Sequence, residues 1–312
     1  MINFRFHLVS LIAVFLALGL GVVMGATVID EAIVDGLNAR INDVEDEADA
    51  QRAENSELRE EIARLEAFVG DEFAVAGTLD DVPVPVIAPR GVTGDDARST
   101  VAMLQVAGAD APGVLWLEEK WQLEDAETRE ELAEILDVPR ARADVLREQA
   151  WARLAVRIAA GAAPAPPQPD VLQALVDAAY ISFQAVGDGA DDLDLTAYPE
   201  AGARVLLVDQ SDASDQANEL VATAMSAFVD AGVPQVVGEV YREEEDGPNR
   251  GIRLAIVRDD DVLIEVVSTV DNLEATEGRV AATWALADFV EGIVGHYGYG
   301  DTAEAPLPDS PR

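Results

Sequence analysis

Two histidines, four methionines and no cysteine make up the chain's inventory of strong metal donors. His296 stands in Gly295-His296-Tyr297-Gly298-Tyr299-Gly300, where an imidazole beside two phenols suits a metal ion or a protein partner. The three glycines also permit the positive φ angles of tight turns, so a helix C-cap accounts for the same string. His296 is the expected metal donor, and Tyr297 and Tyr299 are the expected partner contacts. Met1, Met24, Met103 and Met225 are scattered, whereas a soft ion such as copper(I) wants thioether or thiolate donors grouped together. Ser211 follows Asp209 after an apolar run, but a serine nucleophile needs a base, and only His7 and His296 exist. There is no G-x-S-x-G either. No catalytic residue is assigned and no enzyme is expected.

Other polar strings read as structure. Pro89-Arg90-Gly91-Val92-Thr93-Gly94-Asp95-Asp96 matches neither dinucleotide nor P-loop fingerprints, and its two acids stand where a phosphate would sit. They are expected to cap a helix and complement its dipole. The acidic clusters 243–246, 259–261 and 188–194 lack EF-hand spacing and read as solvated loops. With 21 basic against 60 acidic side chains the net charge is −39, which excludes nucleic acid as a partner because phosphate binding depends on Lys and Arg.

The elements that carry these residues fall into successive segments. From Leu8 to Ile29, 22 residues run without a charge, about 33 Å of α-helix and a bilayer-spanning length. Residues 1–29 are therefore expected to form a retained transmembrane signal anchor. Arg5 precedes the stretch and Asp30 and Glu31 follow it, so the positive-inside rule puts the N-terminus in the cytoplasm and the rest outside. Ala13, Ala17, Gly21 and Gly25 recur every fourth residue and form a small face suited to helix packing in lipid.

Residues 30–69 carry a heptad pattern. Val34, Ile41, Ala48, Asn55, Ile62 and Val69 occupy a, and Leu37, Val44, Gln51, Leu58 and Leu65 occupy d. Its seam, chiefly Leu37, Ile41, Val44, Asn55, Leu58, Ile62 and Leu65, predicts a parallel homodimeric coiled coil, with Asn55 setting register. A single helix packed on the following domain is the alternative.

Residues 70–300 alternate apolar strand-like runs with amphipathic helices, which predicts an extracytoplasmic α/β domain with a mainly parallel sheet. Strands are expected at 84–88, 114–118, 204–208, 235–240 and 253–257. Helices are expected at 95–107, 125–137, 142–160, 170–185, 212–231 and 277–291. A Pro-rich stretch, 161–169, reads as a linker that could divide two lobes, and 301–312 as a flexible tail.

The opening Met1-Ile2-Asn3-Phe4-Arg5-Phe6-His7-Leu8-Val9-Ser10-Leu11-Ile12-Ala13-Val14-Phe15-Leu16-Ala17-Leu18, with Ser268-Thr269-Val270-Asp271-Asn272 and Gly295-His296-Tyr297-Gly298, resembles the actinobacterial MctB copper-transport family. The likeness runs in order along nearly the whole chain. It implies a membrane protein of the cell envelope linked to copper efflux or homeostasis, with copper as the metal. Family members are also described as outer-membrane channels, although no run here has the alternation of a barrel strand. The likeness further implies a link to cell separation through control of peptidoglycan hydrolases. The expected partners are thus the lipid bilayer, a second copy of the chain, and an envelope protein or peptidoglycan hydrolase.

Overall fold

The computed structural model describes residues 4–25, 75–162, 170–187, 193–243 and 249–309. The chain divides into two compact units, Met1–Ala67 and Phe68–Arg312. The seam of the expected coiled coil, from Leu37 to Leu65, lies outside the described residues, as does most of the Pro-rich stretch.

In the first unit, helix α1 spans Phe4–Gly25, with a mean hydropathy of 2.6 over its most apolar window. It begins four residues before the uncharged stretch and includes Arg5 and His7; residues 26–29 are not described. It is long and apolar enough to cross a membrane. Ala13, Ala17, Gly21 and Gly25 all lie on it, and a Cβ added at either glycine would meet nothing within 4 Å.

The second unit is built on one seven-stranded sheet in the order β3-β2-β1-β4-β5-β6-β7. Its strands are β1 Val86–Pro89, β2 Gly113–Leu117, β3 Ile181–Ala185, β4 Val205–Gln210, β5 Gln235–Val240, β6 Ser268–Val270 and β7 His296–Tyr297. Every pairing is parallel except β2 with β3. Strands from both sides of the Pro-rich stretch share this sheet.

Continuous apolar runs such as Val205-Leu206-Leu207-Val208 form central strands because both faces are covered. Ile87, Leu115, Leu207 and Val237 face one core. Under that face pack α3 (Ala126–Ile135), α4 (Ala143–Ala160), α5 (Val171–Asp177) and α6 (Asp215–Asp230). Val86, Trp116, Leu206 and Val270 face the opposite core, beneath α2 (Gly94–Val106) and α8 (Thr276–Asp288).

The first core centres on Trp121, Trp151, Tyr180 and Phe228, all fully buried. The two indoles stack at 5.0 Å and 17°. Polar caps start three of the helices: the side chain of Asp125 accepts from Thr128 N, Asp170 from Leu172 N and Gln173 N, and Ser214 from Ala217 N. Each satisfies a backbone donor that the first helical turn leaves open.

The connections β4–α6–β5 and β6–α8–β7 step the same way along the sheet but lie on opposite faces. The two crossovers therefore have opposite hands, whereas parallel crossovers are right-handed in about 98% of cases.

Several sequence expectations are corrected. The helix expected over 170–185 ends at Asp177, because Ala179 takes a left-handed φ of 57° and the chain turns back as β3. The strand expected over 253–257 is instead a 3-10 turn, Ile252–Leu254, followed by one helical turn, α7 (Ala255–Arg258). Leu254 and Val257, three apart, are the buried pair there, a helical spacing. Thr93, not Asp95 or Asp96, is the N-cap of α2, and the two acids occupy its first turn.

The described part of the expected flexible tail, residues 301–309, is docked. Ala305 bridges Tyr297, Glu304 N donates to His296 O at 2.7 Å, and Leu307 packs on the second core.

Candidate functional site

A doubly wound sheet binds ligands outside the carboxyl ends of its strands, where the chain leaves neighbouring strands in opposite directions. Here that point lies between β1 and β4, and the chain's own groups occupy it. Gln210 Oε1 accepts from Thr93 N at 2.8 Å and Thr93 Oγ1 at 3.0 Å, while Gln210 Nε2 donates to Asp212. Arg242 reaches across to pair with Asp96. Ser211 is fully buried, and its Oγ accepts from Arg242 N at 2.8 Å. The hollow beside it, between Arg90, Glu118 and the start of α6, measures about 40 Å³. That holds a few waters, against about 300 Å³ or more for a small-molecule site.

Behind this point lies a row of carboxylates that the sequence reading missed. Asp209 and Glu239 are register partners on β4 and β5, and Asp271 follows β6. All three are at most 1 % exposed. Glu239 accepts from Gly251 N at 2.6 Å and Arg253 N at 2.8 Å, clamping the start of the 252–258 turns to the sheet. Arg253 Nε in turn donates to the carbonyls of Gln210 and Ser211. Asp271 accepts from Arg258 at 2.9 Å, Tyr299 N at 2.8 Å and Gly300 N at 3.1 Å. Asp209 Oδ1 accepts from Gln210 N, and its Oδ2 has no partner.

Burial pushes the Asp209 carboxyl up to about 6. Burial, with Asp271 and Asp209 nearby, pushes Glu239 up to about 7. The signal for this row was available: an acid at or just before the end of each of three strand-forming runs, at Asp209, Glu239 and Asp271.

His296 belongs to the same polar layer. It is 2 % exposed, so the imidazole expected to meet a metal ion or a partner is buried. Its Nε2 lies 3.0 Å from Ile264 O, a pure acceptor, and therefore carries the proton. Nδ1 then accepts from Thr269 Oγ1 at 2.9 Å, and that hydroxyl accepts from Arg258 Nε at 2.9 Å. Burial lowers the His296 pKa further. The imidazole is a neutral link between β7, β6 and α7, with both nitrogens engaged.

Tyr297 is also buried, its pKa pushed to about 12 chiefly by burial and then by Asp288, Glu304 and Asp309. Tyr299, at 50 % exposed, is the ring of the pair that reaches the surface. Gly298 is needed where it is: at φ 127° a Cβ would stand 2.0 Å from Asp271 Oδ1. The glycines of the string thus serve close approach and turning.

Among the described residues no group of three or more His, Asp or Glu is placed to hold a metal ion. Met103 and Met225 are buried in the two cores on opposite faces of the sheet.

A groove of about 580 Å³ lies between α4 and α6. Its floor is small and apolar, including Ala152, Val156, Ala222 and Ala227, and Glu148, Glu219 and Asp230 stand on it. Val156 is 61 % exposed. A concave apolar strip edged with acids suits a macromolecular partner better than a small polar ligand.

A profile of the family described as "Copper transport outer membrane protein, MctB" matches residues 1–308. The chain belongs to the MctB family. Proteins named "Copper transporter MctB" from Mycobacterium bovis and Mycobacterium tuberculosis are each 27% identical to it over 97% of this chain and 98% of their own length. The protein of the same name from Mycobacterium leprae is 26% identical over the same shares. The match to these MctB relatives thus runs through α1 and the sheet alike.

Proposed function

We propose that the chain is a single-pass envelope protein of copper transport or homeostasis, held by α1 with its N-terminus in the cytoplasm and a dimeric stalk beneath an extracytoplasmic α/β domain. Family membership and the names of the relatives support copper. The apolar helix, with Arg5 near its start and Asp30 and Glu31 beyond it, supports the anchoring and orientation. The α/β domain acts by docking a partner, without catalysis. One observation carries this reading: apart from Asp209 Oδ2, the polar groups described at the strand ends are paired with one another, while the α4/α6 groove stays open.

The test is calorimetric titration of the full chain in detergent with copper(I) and copper(II), alongside copper tolerance of cells carrying Val156→Arg. No tight stoichiometric heat from the protein, together with lost tolerance in the variant, is the expected pair of results. A tight site with one copper per chain would overturn the docking reading in favour of a direct carrier. Full tolerance in Val156→Arg cells would count equally against the groove.

A second reading, an envelope scaffold that regulates peptidoglycan hydrolases and cell separation, is favoured by the same acid-edged groove. It predicts that deleting residues 30–69 leaves copper tolerance intact and yields chained cells.

A further inference from the structure

The lining of the groove between α4 and α6 limits what it can hold. Arg147 pairs with Glu219 early in the two helices and Trp151 meets Phe228 further along, so α4 and α6 run side by side in the same sense. Glu148, Ala152 and Val156 follow at every fourth residue of α4, and Glu219, Ala222, Ser226 and Asp230 form the facing stripe of α6.

The floor presents no free hydrogen-bond donor. Each lining residue lies beyond the first turn of its helix, where the backbone N–H is already bonded within the helix. The hydroxyls of Thr223 and Ser226 donate to the carbonyls of Glu219 and Ala222, at 2.7 and 3.0 Å. The carbonyls of an extended peptide would find no partner there, whereas a helix arrives with its backbone paired. Alanines at 152, 222 and 227 keep the floor low enough for a third helix to approach.

The charges on the rim are all carboxylates, and no Lys or Arg lines the groove. Glu219 keeps its side chain 61 % exposed beside Arg147. Glu148 and Asp230 are exposed and stand in no ion pair among the described residues. Glu148 and Glu219 mark one end of the groove, and Asp230 marks the other, about 16 Å further along α6.

We propose that this groove takes a helical segment of a partner protein, about three turns long, with a stripe of small apolar residues against the floor and Lys or Arg at both ends. The proposal rests on the docking reading above and names the chemistry of the docked partner. A floor without donors selects a backbone that is already paired, the alanines set the size of the side chains it can seat, and carboxylates at both ends select cations there. A second copy of this chain, itself at −39, is repelled by the same rim.

The chain has no cysteine, so disulfide trapping can be confined to chosen positions. Full-length protein in membranes carries Ala222→Cys on the floor or, as the reference site, Val106→Cys, exposed on α2 across the sheet. Two helical probe peptides share an alanine-rich stripe with one central cysteine and differ only at their ends, which are lysine in one and glutamate in the other. Trapped peptide is measured in a glutathione buffer.

The lysine-ended peptide should be trapped at 222 several-fold more than the glutamate-ended one, and several-fold more than at 106. Glu148→Lys with Asp230→Lys, both at exposed positions, should reverse the preference at 222 and leave that at 106 as it was. A lysine preference that survives at 222 in the charge-reversed protein is attraction to the chain's overall charge and would overturn the proposal. Equal trapping at both sites, or none of either peptide, would overturn it too. The docking reading fails separately: full copper tolerance in Val156→Arg cells counts against use of the groove, whereas lost tolerance there without a charge reversal at 222 sinks the basic helix alone.

Discussion

Asp209 and Glu239 stand directly opposite each other on the adjacent parallel strands β4 and β5, both withdrawn from solvent, with Asp271 next in the row. The pair sits beneath the turns that connect β5 to β6, and Glu239 holds the start of those turns through two backbone N–H groups.

Both carboxyls titrate above their usual values, at about 6 and about 7. Between the unfolded values near 4 and these folded values, the native state binds more protons than the unfolded chain, so stability falls as pH rises through that window. Thermal unfolding should therefore occur roughly 5–10 °C higher at pH 5 than at pH 8. Asp209→Asn with Glu239→Gln should flatten that dependence, which separates the pair from general relief of charge repulsion. An unchanged slope in the double variant would remove the pair from the account.

The ion pair of Arg258 and Asp271 is almost wholly buried, with side chains 1 % and 0 % exposed. Removing one partner leaves the other charged and enclosed, so Arg258→Ala should cost about 3–5 kcal/mol in urea unfolding. Gly298→Ala should also destabilise, because its methyl would meet the Asp271 carboxylate. If either variant unfolds like the parent protein, the network around Asp271 is not a source of stability.

His296→Ala deletes a side chain bonded on both sides, leaving the Thr269 hydroxyl proton without its acceptor and Ile264 O without its donor. The expected result is a loss of about 1–3 kcal/mol with copper calorimetry unchanged from the parent. A copper signal that vanishes with this substitution would restore the imidazole as a donor.

In the first core, Trp151 stacks on Trp121 and meets Phe228 edge-on at 6.1 Å. Trp151→Ala should cost about 3–5 kcal/mol, measured by chemical denaturation. Gly21→Leu in α1 bears on a different link: if the small face packs helices in lipid, the bulkier residue should weaken self-association of α1 in membranes. Unchanged association would mean that this face is not used.

The central sheet was legible because its strands are runs that only two-sided burial explains. The runs before Pro89 and Glu118, and those ending at Gln210 and Val240, each became a strand within a residue or two. β3 was hidden because Ala178 and Ala179 continue a helical composition, and only the left-handed turn at Ala179 breaks it. β6 and β7 have three and two residues, too short for periodicity to register. The environment of His296 was not legible: its glycine neighbours indicate turns, and only the docking of 303–307, from further along the chain, encloses it. The buried carboxylates were missed because acids at strand ends look like loop residues until their donors, Gly251, Arg253 and Arg258, are seen to come from elsewhere in the chain.

β7 and the strap at Ala305 follow every other strand along the polypeptide, yet they close the polar layer around Thr269, His296 and Asp271. Nascent chains that stop before residue 296 would have every other strand and still lack a finished border. Completion of the domain thereby waits on its last strand, and a fragment ended before it by a nonsense codon or a protease would be marked by an unsealed flank.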